Sequence, residues 1–77
     1  MLSIGELMNL RTDFEDITEN FNMGSNTGSC INTVSWFVEN GHRSNSLRNG
    51  FDYAMEIANT ILTEYENGRG SKEDTDC

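Results

Sequence analysis

The first apolar positions of the chain fall at Leu7, Leu10, Phe14, Ile17 and Phe21, spaced 3, 4, 3 and 4. That rhythm follows the helical turn and lays a seam along one face, so residues 3–21 are predicted to form a helix. Ser3 and Glu6 give it a start. In a capping box the serine oxygen satisfies an orphan amide, while the glutamate reaches back and also meets the positive end of the helix dipole. The following NMGSNTGS stretch, Asn22 to Ser29, holds two glycines, two asparagines and two serines in eight residues. This is loop chemistry, because glycine permits positive φ and short polar side chains compete for backbone groups.

The middle segment, Cys30 to Val38, has two readings. Ile31, Thr33 and Val34 are β-branched, and Val34, Trp36 and Val38 alternate as in a strand. No other segment offers such a strand a mate. Ile31, Val34 and Val38 also recur at helical spacing, and Asn40-Gly41 supplies a C-terminal stop. A second helix is therefore the expectation. The third segment places Leu47, Phe51, Ala54, Ala58, Ile61 and Tyr65 at spacings of 4, 3, 4, 3 and 4, and Asn67-Gly68 ends it. Its start is open between Ser44 and Asn49 as caps, because Asn49-Gly50 reads either as a weak interior point or as the beginning.

From Arg69 to Cys77 the only apolar side chain is the last cysteine. Such a segment cannot offset its ordering entropy by burial, so residues 69–77 are expected to be a disordered tail behind a single helical domain at 1–68. The expected fold is all-α, a small compact bundle of about three helices. Helices one and three pair along their seams and helix two covers them.

Length limits what such a bundle can do. A chain of 77 residues buries only about 60% of its unfolded surface. It has no room for a large substrate cleft, and a second copy or a partner is the expected cover for leftover apolar surface, which makes a homodimer the default. The two cysteines, Cys30 and Cys77, are too few and too unevenly placed for the disulfide framework of a small secreted domain. No signal peptide or bilayer-spanning run is evident, and Cys77 is misplaced for prenylation. A reduced, cytoplasmic setting is expected, in the host cell if the chain is phage-encoded.

Thirteen acids against five bases give a formal charge of −8. Residues 1–29 carry net −4 and residues 51–77 net −5, while the middle is +1. The whole-molecule field thus opposes direct binding to nucleic acid and favours basic partners. Glu15, Asp16 and Glu19 lie away from the seam of helix one, as Asp52, Glu56 and Glu66 do on helix three. Glu15 with Glu19 and Asp52 with Glu56 are like charges at i,i+4, which cost a helix a few tenths of a kcal/mol. Two readings account for them: a solubilising face, or carboxylates one turn apart, roughly 6 Å, that imitate phosphate spacing before a basic protein.

Trp36 projects away from the side shared by Ile31, Val34, Phe37 and Val38. It reads either as an interface anchor or as a ring wrapped by a thin core. Enzyme chemistry has little support. Cys30 and His42 suggest a Cys–His pair only in name, since no third orienting group is evident. No metal-ligand spacing, Ca²⁺ loop, GxGxxG or P-loop occurs, so no cofactor or metal is expected. His42, Arg43 and Arg48 allow a helix-turn-helix alternative, which Asp52 and Glu56 oppose by facing the phosphates one turn further on.

The function expected from the sequence is a small acidic, non-enzymatic interaction protein. It would bind a basic surface of nucleic-acid-handling machinery by nucleic-acid mimicry, through Glu15, Asp16, Glu19, Trp36, Asp52 and Glu56. Inhibitors of that kind from phages and mobile elements share this composition. The alternative is a homo-oligomeric helical regulatory subunit or a helix-turn-helix-like transcription regulator.

Overall fold

The computed structural model describes residues 2–68 and contains three helices: α1 (Ile4–Thr18), α2 (Ile31–Asn45) and α3 (Phe51–Glu66). Among the described residues there is no strand, so the Cys30–Val38 segment takes its helical reading. The tail expected at residues 69–77 lies outside the described residues.

The α1 start is the capping box read from the sequence. Ser3 Oγ accepts from the Glu6 amide at 3.0 Å, and Glu6 Oε1 accepts from the Ser3 amide at 3.0 Å. The helix stops at Thr18, three residues before the expected end. Thr18 Oγ1 donates to the Phe14 carbonyl at 2.6 Å, and the Phe21 amide bonds to the Thr18 carbonyl at 2.9 Å, which turns the chain. Phe21 still reaches the core from this turn.

The second helix runs past its expected stop. Asn40-Gly41 lies inside α2, and Gly41 is buried instead of capping. A Cβ on Gly41 would stand 2.6 and 2.8 Å from the ring carbons of Phe37, one turn earlier. The glycine is needed to let that ring lie flat along the helix. Helical continuation also places Ser44 inside α2, so it is not the α3 cap.

α3 begins only at Phe51, capped by Gly50 at φ 83 and ψ 2 without a side-chain cap. Neither Ser44 nor Asn49 starts it. Leu47, expected in its seam, sits in the connecting turn and is 99% exposed. The buried face of α3 is Ala54, Ile57, Ala58 and Ile61. At its end the Gly68 amide bonds to the Tyr65 carbonyl at 3.0 Å with φ 81, the stop that Asn67-Gly68 indicated.

α3 is the central helix, packed against both α1 and α2. Phe37 joins all parts: its ring meets Phe14 edge-on at 5.4 Å, Phe21 at 6.1 Å and Phe51 at 5.7 Å. Such aromatic pairs add to the burial of their area. Leu7, Phe14, Val34 and the α3 face complete the core, to which the loop contributes Met23 at 5% exposure.

Candidate functional site

The acids read as partner-binding occupy two helices and divide by local role. Asp16, Glu19, Asp52 and Glu56 are exposed, and among the described residues no hydrogen bond or ion pair engages their carboxylates. Glu15 differs. Its Oε1 accepts from the Ser29 hydroxyl at 2.8 Å, and Ser29 is 4% exposed, so this carboxylate ties the end of the loop to α1. Asp52 stands in the first turn of α3, where its charge meets the helix dipole of an otherwise uncapped end. Glu15 and Asp52 therefore have structural reasons to be acidic, and Glu19 and Glu56 have none within the fold.

Trp36 is half-buried and packs against the core, which places it between its two readings. A core contact and an exposed edge coexist on one ring.

Cys30 and His42 are separated by twelve residues of α2, which at the helical rise is about 18 Å. They cannot form a catalytic pair. Cys30 is, moreover, disulfide-bonded, not the reduced thiol expected from the cysteine count. Its sulfur also lies 3.1 Å from Thr33 Oγ1, and that hydroxyl donates to the Thr27 carbonyl at 2.9 Å. This polar chain fixes the start of α2 in place of a side-chain cap.

Sequence reasoning missed a second ordered feature, the junction of loop and helix end at Asn45. Asn45 is fully buried, and its amide group bonds both to the N–H and to the carbonyl of Asn22. A lone asparagine near a helix end gives no sequence signal of a contact 23 residues away.

His42, Arg43 and Arg48 are exposed at the end of α2 and in the turn after it. Asp52 and Glu56 follow on α3, so the element a helix-turn-helix protein would insert into DNA carries acids at its start. Among the described residues no group of three or more His, Cys, Asp or Glu side chains is arranged to hold a metal ion. No helix among them is long and apolar enough to cross a membrane. No protein-family model, curated protein or solved structure matches this chain.

Proposed function

We propose that the chain is a non-enzymatic interaction protein whose acidic surface occupies a basic site on nucleic-acid-handling machinery, in the manner of a phage or mobile-element inhibitor. The observation that carries this reading is the set of exposed carboxylates at Asp16, Glu19 and Glu56, which no hydrogen bond or ion pair engages among the described residues. Glu19 and Glu56 stand one turn from Glu15 and Asp52, a like-charge arrangement that a helix tolerates at a cost. A basic groove shaped for phosphates would return that cost as long-range attraction and fast association.

The test is charge reversal at positions that the fold does not use. A Glu19→Lys, Glu56→Lys variant should keep its helical circular dichroism. It should lose a partner that the native chain retains at low salt, releases at high salt and yields to competing duplex DNA. Retention of that partner by the double variant, or indifference to DNA, overturns the mimicry. Glu15 is left unchanged, because its loss would disturb Ser29.

A further inference from the structure

The sequence holds three Asn-Gly pairs, Asn40-Gly41, Asn49-Gly50 and Asn67-Gly68, and the fold treats them differently. Such a pair is chemically labile, because the backbone nitrogen of the glycine can attack the asparagine side-chain carbonyl when no Cβ stands in the way. Two conditions govern the attack. The glycine N–H must be free of a hydrogen bond, and the peptide between the two residues must be able to rotate.

Asn40-Gly41 meets neither. It lies inside α2, where the Gly41 N–H belongs to the helical ladder, and the Asn40 side-chain amide donates to the Trp36 carbonyl at 3.3 Å. Asn67-Gly68 is engaged at the end of α3: the Asn67 N–H donates to the Thr63 carbonyl at 3.1 Å and the Gly68 N–H to the Tyr65 carbonyl at 3.0 Å. Asn49-Gly50 is exposed in the turn between α2 and α3. The Phe51 N–H closes this turn on the Arg48 carbonyl at 3.1 Å, and Gly50, at φ 83 and ψ 2, is its third residue in a type II arrangement. A turn of that kind bonds its first residue to its fourth and leaves the N–H of the third outside. Among the described residues no hydrogen bond takes the Gly50 N–H.

The fold also imposes the glycine. A Cβ at position 50 would be strained at this φ and would lie 3.1 Å from Ile17 Cγ2. The same lack of a Cβ lets the Asn49–Gly50 peptide rotate between type II and type I forms. The turn therefore cannot dispense with the residue that makes Asn49 labile.

We propose that Asn49 is the site at which this chain deamidates spontaneously. The Gly50 nitrogen, having passed its proton to hydroxide, bonds to Asn49 Cγ. The Cγ–Nδ2 bond breaks, and the side-chain nitrogen takes up a proton from water as it leaves as ammonia. Water then opens the succinimide at either carbonyl, giving aspartate or, where the chain now runs through the side-chain carboxyl, isoaspartate. Nothing is oxidised or reduced. Either product puts a new carboxylate next to Arg48 and one residue before the N-cap of α3, a helix end with no side-chain cap.

Incubation of the full chain in warm, mildly alkaline buffer, followed by tandem mass spectrometry of its proteolytic peptides, tests the assignment. Asn49 should convert at least about tenfold faster than Asn40, because Asn40 reacts only after its helical hydrogen bonds open. It should also lead Asn67, by a smaller margin because helix ends fray. In guanidinium chloride the three pairs should react at comparable rates. Asn49→Gln should remove the fast phase, because the longer side chain closes its imide ring far less readily. Equal rates at the three pairs in the folded chain, Asn40 or Asn67 ahead of Asn49, an order unchanged by the denaturant, or a fast phase that survives Asn49→Gln overturns the assignment.

Discussion

Asn45 holds the backbone of Asn22 at two points, its Oδ1 accepting from the Asn22 amide at 2.8 Å and its Nδ2 donating to the Asn22 carbonyl at 3.2 Å. The side-chain amide thus does for the loop what a neighbouring strand would do in a sheet: it satisfies one donor and one acceptor of the same residue. This clamp sets where the chain leaves α1 relative to the end of α2. Met23, the next residue, is buried beside it.

Replacing Asn45 by Ala should therefore lower unfolding stability by about 1–3 kcal/mol, since it removes a fully buried side chain together with both of its hydrogen bonds to Asn22. Ser44→Ala should change it by less than about 0.5 kcal/mol, because the Ser44 hydroxyl is exposed and only 3.4 Å from the same carbonyl. Urea midpoints of the two variants check the difference.

Gly41 and Gly5 should respond to alanine with opposite signs. At Gly41 the new Cβ meets the Phe37 ring at 2.6 Å, and Phe37 is itself locked among three other rings. Overpacking of about 1–3 kcal/mol then outweighs the gain of about 1 kcal/mol in helix propensity. At Gly5 the nearest atom is Ser3 Oγ at 3.8 Å, so Gly5→Ala should raise the melting temperature. A stabilised Gly41→Ala would refute the account of Phe37 given above.

The capping box makes α1 sensitive to acid. Glu6 is held below its ordinary 4.5, first by the backbone N–H of Ser3 and then by its hydroxyl. A carboxyl with a lowered folded pKa contributes stability above its unfolded value, and that contribution fades as pH falls through the folded value. The difference in melting temperature between the native chain and Glu6→Ala should be largest near neutral pH and shrink below pH of about 4. A constant difference down to pH 2 would show that the charge of Glu6 is idle.

Iodoacetamide should leave Cys30 unmodified in the oxidised chain and label it after treatment with a dithiol reductant, because its sulfur is in a disulfide. Peptide mass mapping separates the two states. Labelling before reduction would contradict the bond.

Much of the fold was legible because α1 and the second half of α3 obey local rules. Ser3 and Glu6 cap as their types and spacing require, and the 3-4 rhythm places Leu7, Phe14, Ala54, Ala58 and Ile61 inward. The errors share one origin, tertiary contact overriding a local signal. Gly41 has the chemistry of a stop, yet Phe37 needs its missing Cβ, so α2 continues to Asn45. Leu47 fits the α3 rhythm, yet the positive φ of Gly50 starts the helix after it. For the candidate site, exposure of Asp16, Glu19, Asp52 and Glu56 followed from helical periodicity alone. The engagement of Glu15 by Ser29 could not, because its partner lies 14 residues away across the loop.

The central place of α3 also governs the order in which the chain can become a protein. Ribosomes deliver α1 and α2 before the helix that covers them both. Until Phe51 and the residues after it emerge, Phe14, Val34 and Phe37 can pack only against one another and against side chains such as Leu7, Phe21 and Met23 from α1 and the loop. A nascent chain ending before Phe51 should thus be a loose, protease-sensitive intermediate that binds hydrophobic dyes, and folding should become cooperative only when the last helix arrives.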